Sequence, residues 1–235
     1  MFMDQILTRS IRAVYCADMT ERSYNQYCGL ATALDVVGER WSMLLVRNLL
    51  VGPQRFSDLR DALPGLSTGL LSSRLKGLEQ SGVVTKTPLP PPAASTVYQL
   101  TRDGRRLAPA VLELARWGMG RLGSADGRHY DASTLMVGLW AQLDGVDVDA
   151  ALPDGDIAVT VDGRPFDITT EGGATRVVSG APAVTVASVT TDSATLAHLS
   201  DGSETLAEAV TDGRLEVKGQ AEPIAALTTA LGLAR

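Results

Sequence analysis

Cysteine is nearly absent from this chain: Cys16 and Cys28, both near the start, are the only two in 235 residues. Two thiols so placed frame no disulfide scaffold, which argues against a small stapled secreted fold and fits a reducing cytoplasm. Histidine is as scarce. His129 and His198 have no cysteine or second histidine at ligand spacing, so no metal site is expected. The sequence also lacks a G-x-S-x-G elbow, a P-loop and a G-x-G-x-x-G turn, hence any obvious nucleophile or nucleotide cradle. The expectation is a non-enzyme without a cofactor. No apolar run approaches the roughly 18 residues of a membrane span. The opening M-F-M-D-Q-I-L carries Asp4 early and has no apolar block long enough for a signal peptide, so no membrane partner is expected. Translation can start at Met1 or at Met19, because the interpretable pattern begins just after Met19. Lysine occurs only as Lys76, Lys86 and Lys218, leaving arginine to supply nearly all the positive charge.

The charge is unevenly spread. The whole chain carries -6, yet residues 19–122 hold 13 Arg and Lys against 8 Asp and Glu, whereas residues 123–235 hold 6 against 17. A basic front and an acidic back suggest two domains, only the first facing a polyanion. The acidic residues of the back fall mainly in turns, as solvated carboxylates do. With 45% hydrophobic residues there is core enough for both.

Residues 66–82, L-S-T-G-L-L-S-S-R-L-K-G-L-E-Q-S-G, are the most informative stretch. Leu71, Leu75 and Leu78 fall at i, i+4 and i+7, on one stripe of a helix. Ser67 precedes the stripe as an N-cap and Gly82 follows it as a stop. The opposite face carries Gly69, Ser72, Ser73 and Lys76: small, hydrogen-bonding and positive, with no carboxylate. Such a face suits a DNA major groove, where backbone must approach closely and hydroxyls must reach phosphates or base edges.

The neighbouring segments supply the context. Leu30, Leu34 and Val37 form a helical stripe ended by Gly38. Trp41, Leu44, Leu45, Leu49 and Leu50 form a second, stopped by Gly52 and Pro53. Phe56, Leu59 and Leu63 predict a short third helix ended by Pro64 and Gly65, which joins the Ser67 helix through a tight turn, as in a helix-turn-helix. Residues 83–87 and a segment through Val97, Gln99 and Thr101 read as two strands around a stiff proline-rich tip. One long helix is expected next, capped by Thr101 or Asp103 and running through Leu107, Val111, Leu114 and Trp117 to Met119.

Polar, glycine-containing residues 123–131 are read as a linker. Behind it, Leu135, Met136, Leu139, Trp140 and Leu143 share one helical face. Candidate strands follow at 157–161, 166–169, 175–178 and 184–190, with turns at Asp162-Gly163 and Gly172-Gly173. Two short helices (192–199 and 204–210), a strand (215–217) and an apolar-faced closing helix (222–233) complete the pattern. The fold class expected is α+β. It comprises an N-terminal extension over 1–26, a winged helix-turn-helix domain over 27–122, the linker, and a second α+β domain over 132–235.

The front domain resembles the HxlR family of bacterial winged-helix regulators, relatives of the MarR group. The resemblance is carried by Cys28, A-L-D-V-V-G-E-R-W (33–41), L-L-V-R-N-L-L-V-G-P-Q-R-F-S-D-L-R (44–60), L-P-G-L-S (63–67), L-L-S-S-R-L-K-G-L-E-Q-S-G-V-V (70–84) and Y-Q-L-T-R-D-G-R-R-L (98–107). It implies a homodimer on double-stranded DNA, with two reading helices roughly 34 Å apart on an inverted repeat. Thr68, Ser72, Ser73 and Lys76, beside Ser67 and Gly69, form the expected contact face. Arg55 is a candidate phosphate anchor, and Lys86 and Thr87 of the wing lie over the adjacent backbone or minor groove. Arg74 has two roles open to it, a phosphate contact or an internal ion pair. The first helix and the long helix ending near Met119 are the expected dimer surfaces. Cys28 matches the position at which several HxlR-like regulators sense oxidants or electrophiles.

The back domain resembles the sterol carrier protein fold. D-I-A-V-T-V-D-G-R-P-F-D-I (156–168), A-S-V-T-T-D-S-A-T-L-A-H-L-S-D-G (187–202) and A-E-A-V-T-D-G-R-L-E-V-K-G (207–219) carry this likeness. It implies a tunnel for a hydrophobic small-molecule effector, with Leu135, Leu139, Trp140, Phe166 and Leu227 as candidate lining, although each of these also reads as ordinary core. Three functions compete: a regulator responding to such an effector, a redox switch through Cys28, and a lipid carrier whose front part only dimerises.

Overall fold

The structure is a computed structural model that describes residues 23–89, 95–144, 156–171, 174–219 and 228. The first helix, α1 (Gly29–Val37), ends where the Gly38 N–H donates to the Leu34 carbonyl at 2.8 Å. Trp41 then opens α2 (Ser42–Leu50) from a left-handed backbone conformation, φ 82°, so it stands at the cap and not inside the helix stripe. Leu45, Val46 and Leu49 of α2 are fully buried and make it the central helix of the front half.

A two-residue strand, β1 (Gln54–Arg55), leads directly into α3 (Phe56–Ala62), where the Asp58 carboxylate accepts the Arg55 N–H at 2.9 Å. Helix α4 (Thr68–Gln80) begins as the hydroxyl pattern predicts, with Ser67 Oγ accepting the Leu70 N–H at 3.3 Å. Leu71, Leu75 and Leu78 are at most 1% exposed, and burying each leucine stabilises the fold by about 2 kcal/mol. Strands β2 (Val84–Pro88) and β3 (Thr96–Leu100) pair antiparallel as the wing, and β1 adds to the far side of β3, giving the order β1-β3-β2.

The single long helix expected after the wing is two helices. Thr101 Oγ1 caps a one-turn helix, α5 (Arg102–Arg105), by accepting the Gly104 N–H at 3.0 Å. Helix α6 (Ala108–Met119) then restarts with Pro109 in its first turn. Proline has no N–H and would clash with the carbonyl four residues back, so a continuous helix through 105–109 is disfavoured. Gly104 lets this corner close against the wing, since a β-carbon there would sit 2.1 Å from the Val83 carbonyl oxygen.

Asp131 starts α7 (Ala132–Leu143), its Oδ1 accepting the Ser133 and Thr134 N–H groups at 2.9 and 3.4 Å. Five strands follow: β4 (Asp156–Val161), β5 (Arg164–Glu171), β6 (Ala174–Ser179), β7 (Thr185–Thr191) and β8 (Leu215–Gly219). Their order is β6-β5-β4-β7-β8, with β4 and β7 parallel and the other pairs antiparallel. Between β7 and β8 lie α8 (Ser193–Asp201), capped by Asp192, and α9 (Leu206–Thr211), opened by a Thr205–Glu208 capping box. The expected Gly172-Gly173 turn and Leu227 lie outside the described residues, as does most of the expected closing helix.

Helix α7 packs on α2 and α6 on one side and on β6 on the other, so one apolar core runs from Val37 through Met136 and Leu143 to Phe166 and Ile168. Polar contacts stitch the same seam. Ser179 N–H donates to the Val51 carbonyl at 2.5 Å, and Gln54 Nε2 reaches the Asn48 carbonyl at 2.8 Å and Ser133 Oγ at 3.2 Å. Gly52, at φ +142°, lets the end of β6 come this close, because its β-carbon position lies 3.1 Å from Ser179 Cβ. The segment read as a linker is also tied down: Asp201 Oδ2 accepts the Ala125 N–H at 2.6 Å, and His198 Nε2 stands 3.5 Å from Asp126 Oδ1. Among the described residues no helix is long and apolar enough to cross a membrane.

Candidate nucleic-acid interface

Two helices and a turn set the geometry. Leu63 and Leu66 are buried on either side of Pro64 and Gly65, and the Leu66 N–H donates to the Leu63 carbonyl at 3.1 Å, fixing α3 against the start of α4. With the leucine stripe inward, Ser67, Thr68, Gly69, Ser72, Ser73 and Lys76 are all exposed. Gly69 is bare for no packing reason, since a β-carbon there would meet nothing within 4 Å. Gly77 is equally open and exposed, and it extends the thin part of the helix beyond what the leucine spacing brings to notice.

Arg74 behaves differently from its neighbours. Its Nη2 lies 2.7 Å from Glu39 Oε2 and its Nε donates to the Arg40 carbonyl at 3.1 Å, so the structure makes the internal ion pair. Only 20% of the Arg74 side chain is exposed. A phosphate contact would require that pair to open.

Strand register sorts the remaining basic residues. Thr87, Val97 and Arg55 share one face of the wing sheet, while Lys86, Tyr98 and Gln54 share the other. Arg55 and Thr87 are thus brought onto a common face, and Lys86 is carried away from Thr87 although adjacent in sequence. Arg55 is exposed as the cap residue of α3. Lys86 is exposed too and stands 5.7 Å from the Tyr98 ring centre, a cation–π distance, while Thr87 Oγ1 accepts Gln99 Nε2 at 3.0 Å.

Behind this face the cation Arg47 is largely enclosed between α2 and α7. Burial pulls its guanidinium below the ordinary arginine value, partly countered by the charge of Asp131. Its Nε and Nη2 both donate to Asn48 Oδ1, at 2.9 and 2.6 Å. Arg47 is therefore a seam residue, not part of the basic surface.

Cys28 is exposed as the cap residue of α1, beside the exposed Tyr24, Tyr27 and Leu30. Leu34 on α1, Leu114 and Trp117 on α6, and Leu122 just beyond it are apolar and exposed as well. Of the candidate pocket residues, Leu139, Trp140 and Phe166 are buried in the common core, Leu135 packs at its edge, and Leu227 lies outside the described residues. Trp140 spends its ring N–H on the Thr175 carbonyl at 2.8 Å. Among the described residues no group of three His, Cys, Asp or Glu side chains could hold a metal ion.

Comparison with known proteins bears on this arrangement. The HTH-type transcriptional regulator YvaP of Bacillus subtilis (strain 168) is 45% identical over 85 residues, a span of 36% of this chain and 79% of YvaP. The chain belongs to the HxlR-like helix-turn-helix family. The family's own sequence model matches residues 36–126, which takes in α2 to α6, the wing and the start of the segment before α7. The HTH-type transcriptional regulator YodB of the same organism is 33% identical over 88 residues, covering 37% of this chain and 79% of YodB. Among solved structures, the redox regulator HypR in its oxidized form is 31% identical, covering 40% of this chain and 96% of that one, with a TM-score of 0.38. In this HxlR-like protein α7 and the five-stranded sheet lie beyond the residues that the family model matches.

Proposed function

We propose that this HxlR-like protein is a cytoplasmic, homodimeric transcription regulator that binds an inverted-repeat operator through paired α4 helices. One observation carries the reading: Thr68, Gly69, Ser72, Ser73 and Lys76 form an exposed stripe of small, hydrogen-bonding and positive residues on the second helix of the helix-turn-helix. A dimer is supported by the apolar side chains that α1 and α6 leave in solvent, Leu30, Leu34, Leu114 and Trp117. Two copies also double the modest positive balance of the front half. Arg55 and Thr87, sharing one face of the wing sheet, serve as backbone anchors beside the groove, and Lys86 meets the duplex from the other face of the wing.

Genomic footprinting of the protein tests this reading and returns the operator at once. Recovered sites should be inverted repeats with half-site centres roughly one helical turn apart, and affinity should fall steeply with salt. Binding without salt dependence, or no enriched sites, would leave the lipid-carrier reading in its place.

The five-stranded layer, read from its sequence as sterol-carrier-like, is proposed to hold a hydrophobic effector that binds one dimer geometry more tightly than the other. Mass spectrometry of the purified protein for a retained lipid-like compound tests that part. A redox reading is favoured by one feature, the exposure of Cys28 on the apolar α1 surface that a partner would cover. If oxidant still releases DNA from Cys28→Ser, the switch does not run through this thiol.

A further inference from the structure

We infer that Arg116 is a positioning residue for DNA binding: it ties the dimer-facing helix α6 to the added C-terminal layer and so sets the separation of the two reading helices. Helix α6 has two working faces. Leu114 and Trp117 stand 56% and 64% exposed on one, while Val111 and Leu112 are buried on the other, with Ala115 and Met119 packed at the core's edge. Arg116 leaves α6 toward α7. Its Nε donates to the Ala141 carbonyl at 2.8 Å and its Nη2 to the Asp144 carbonyl, with the Asp144 carboxylate 3.7 Å away.

Those two carbonyls belong to the last turn and the C-cap of α7, where backbone acceptors have no partner within the helix and the helix dipole is negative. One planar fork satisfies both, which a lysine ammonium on its flexible stem does not reproduce. Glu113 pairs with Nη1 from the preceding turn of α6 and holds the fork in place. Helix α7 is in turn fixed to the sheet by Trp140 Nε1 on the Thr175 carbonyl. The chain of contacts therefore runs from sheet to α7 to Arg116 to α6. Ala141 and Asp144 lie beyond residue 126, where the family match stops, so the tie joins the matched part of the chain to the part outside the match. Any shift of α7 on the sheet, including one driven by a bound effector, is passed to the surface on which two copies meet.

The inference rests on the homodimer reading, and a distance measurement tests it without knowledge of the operator. A spin label at Glu79→Cys, exposed near the C-terminal end of α4 one turn past Lys76, is introduced in a Cys16→Ser, Cys28→Ser background. Pulsed dipolar spectroscopy of the full chain should give one narrow separation near the roughly 34 Å of adjacent major grooves. Adding Arg116→Ala, with cooperative thermal unfolding retained, should broaden that distribution or move its centre by about 2 Å, the size of helix shifts at switching interfaces. A folded Arg116→Ala dimer with an unchanged distribution overturns the positioning role and leaves the dimer standing. No dipolar signal in the parent overturns both. Should Arg116→Ala fail to fold, Arg116→Lys, which keeps the charge without the fork, must show the same change, and an unaltered distance there overturns the inference.

Discussion

Arg74 and Glu39 meet at 2.7 Å, Nη2 to Oε2, and the pair fastens the middle of α4 to the turn between α1 and α2. The only arginine on α4 is thereby spent on holding the helix in place, and Lys76 is left as its exposed cation.

Two substitutions separate those roles. Arg74→Ala should cost about 1 kcal/mol of stability, the value of a partly exposed pair with one backbone bond, and leave the salt dependence of DNA binding unchanged. Lys76→Ala should leave stability within about 0.5 kcal/mol and lower the slope of log affinity against log salt by about 1. Urea unfolding and anisotropy titrations at several salt concentrations measure both. A reduced slope in Arg74→Ala would make that arginine a phosphate contact.

Glycine has opposite meanings at two positions. At Gly69 a methyl group meets nothing and suits a helix, so Gly69→Ala should stabilise the fold by about 0.5 kcal/mol while weakening operator binding about tenfold. At Gly52, φ +142° and Ser179 Cβ at 3.1 Å leave no room, and Gly52→Ala should cost more than about 1 kcal/mol. Equal stability changes in the two variants would contradict the close approach of β6 to the α2–β1 turn.

Trp140→Phe keeps the apolar ring of α7 but removes its N–H from the buried Thr175 carbonyl. A loss of about 1–2 kcal/mol is expected, with no change in oligomeric state. A neutral effect in denaturant titrations would mean that the strand ladder alone satisfies that oxygen.

Asp201 gives the connecting segment a pH signature. Hydrogen bonds from the Ser203 hydroxyl, the Ala125 N–H and the Ser203 N–H hold its carboxylate down at about 2. The group is depressed in the folded state, so its contribution is complete above the ordinary carboxylate value of about 3.9 and disappears as pH falls through the folded value. Denaturation midpoints of the wild type and Asp201→Asn should therefore converge between about pH 4 and pH 2. Parallel profiles across that window would remove Asp201 from the acid response.

Local chemistry was the legible part of this sequence. The leucine stripe of α4, its Ser67 cap and the Asp162-Gly163 turn each depend on residues a few positions apart, and all are present where the pattern places them. Strand β1 was not legible, because two residues carry no period and Gln54 pairs with Tyr98 only once the wing has formed. The break between α5 and α6 could have been read from Pro109, but the apolar spacing on both sides masks it. Arg47, Gln54, Arg116 and Ser133 look like ordinary surface residues in sequence. Their partners lie across the seam between α2, α6 and α7, and only the folded chain puts them together.

The bond between Val51 and Ser179 also orders events during synthesis. The turn after α2 leaves the ribosome well over a hundred residues before the strand that seals it. At ordinary elongation rates the wait is on the order of ten seconds. Throughout it the rear of the nascent winged helix stands open to water and to chaperones, so this regulator gains its finished back only after its DNA-reading front has been made.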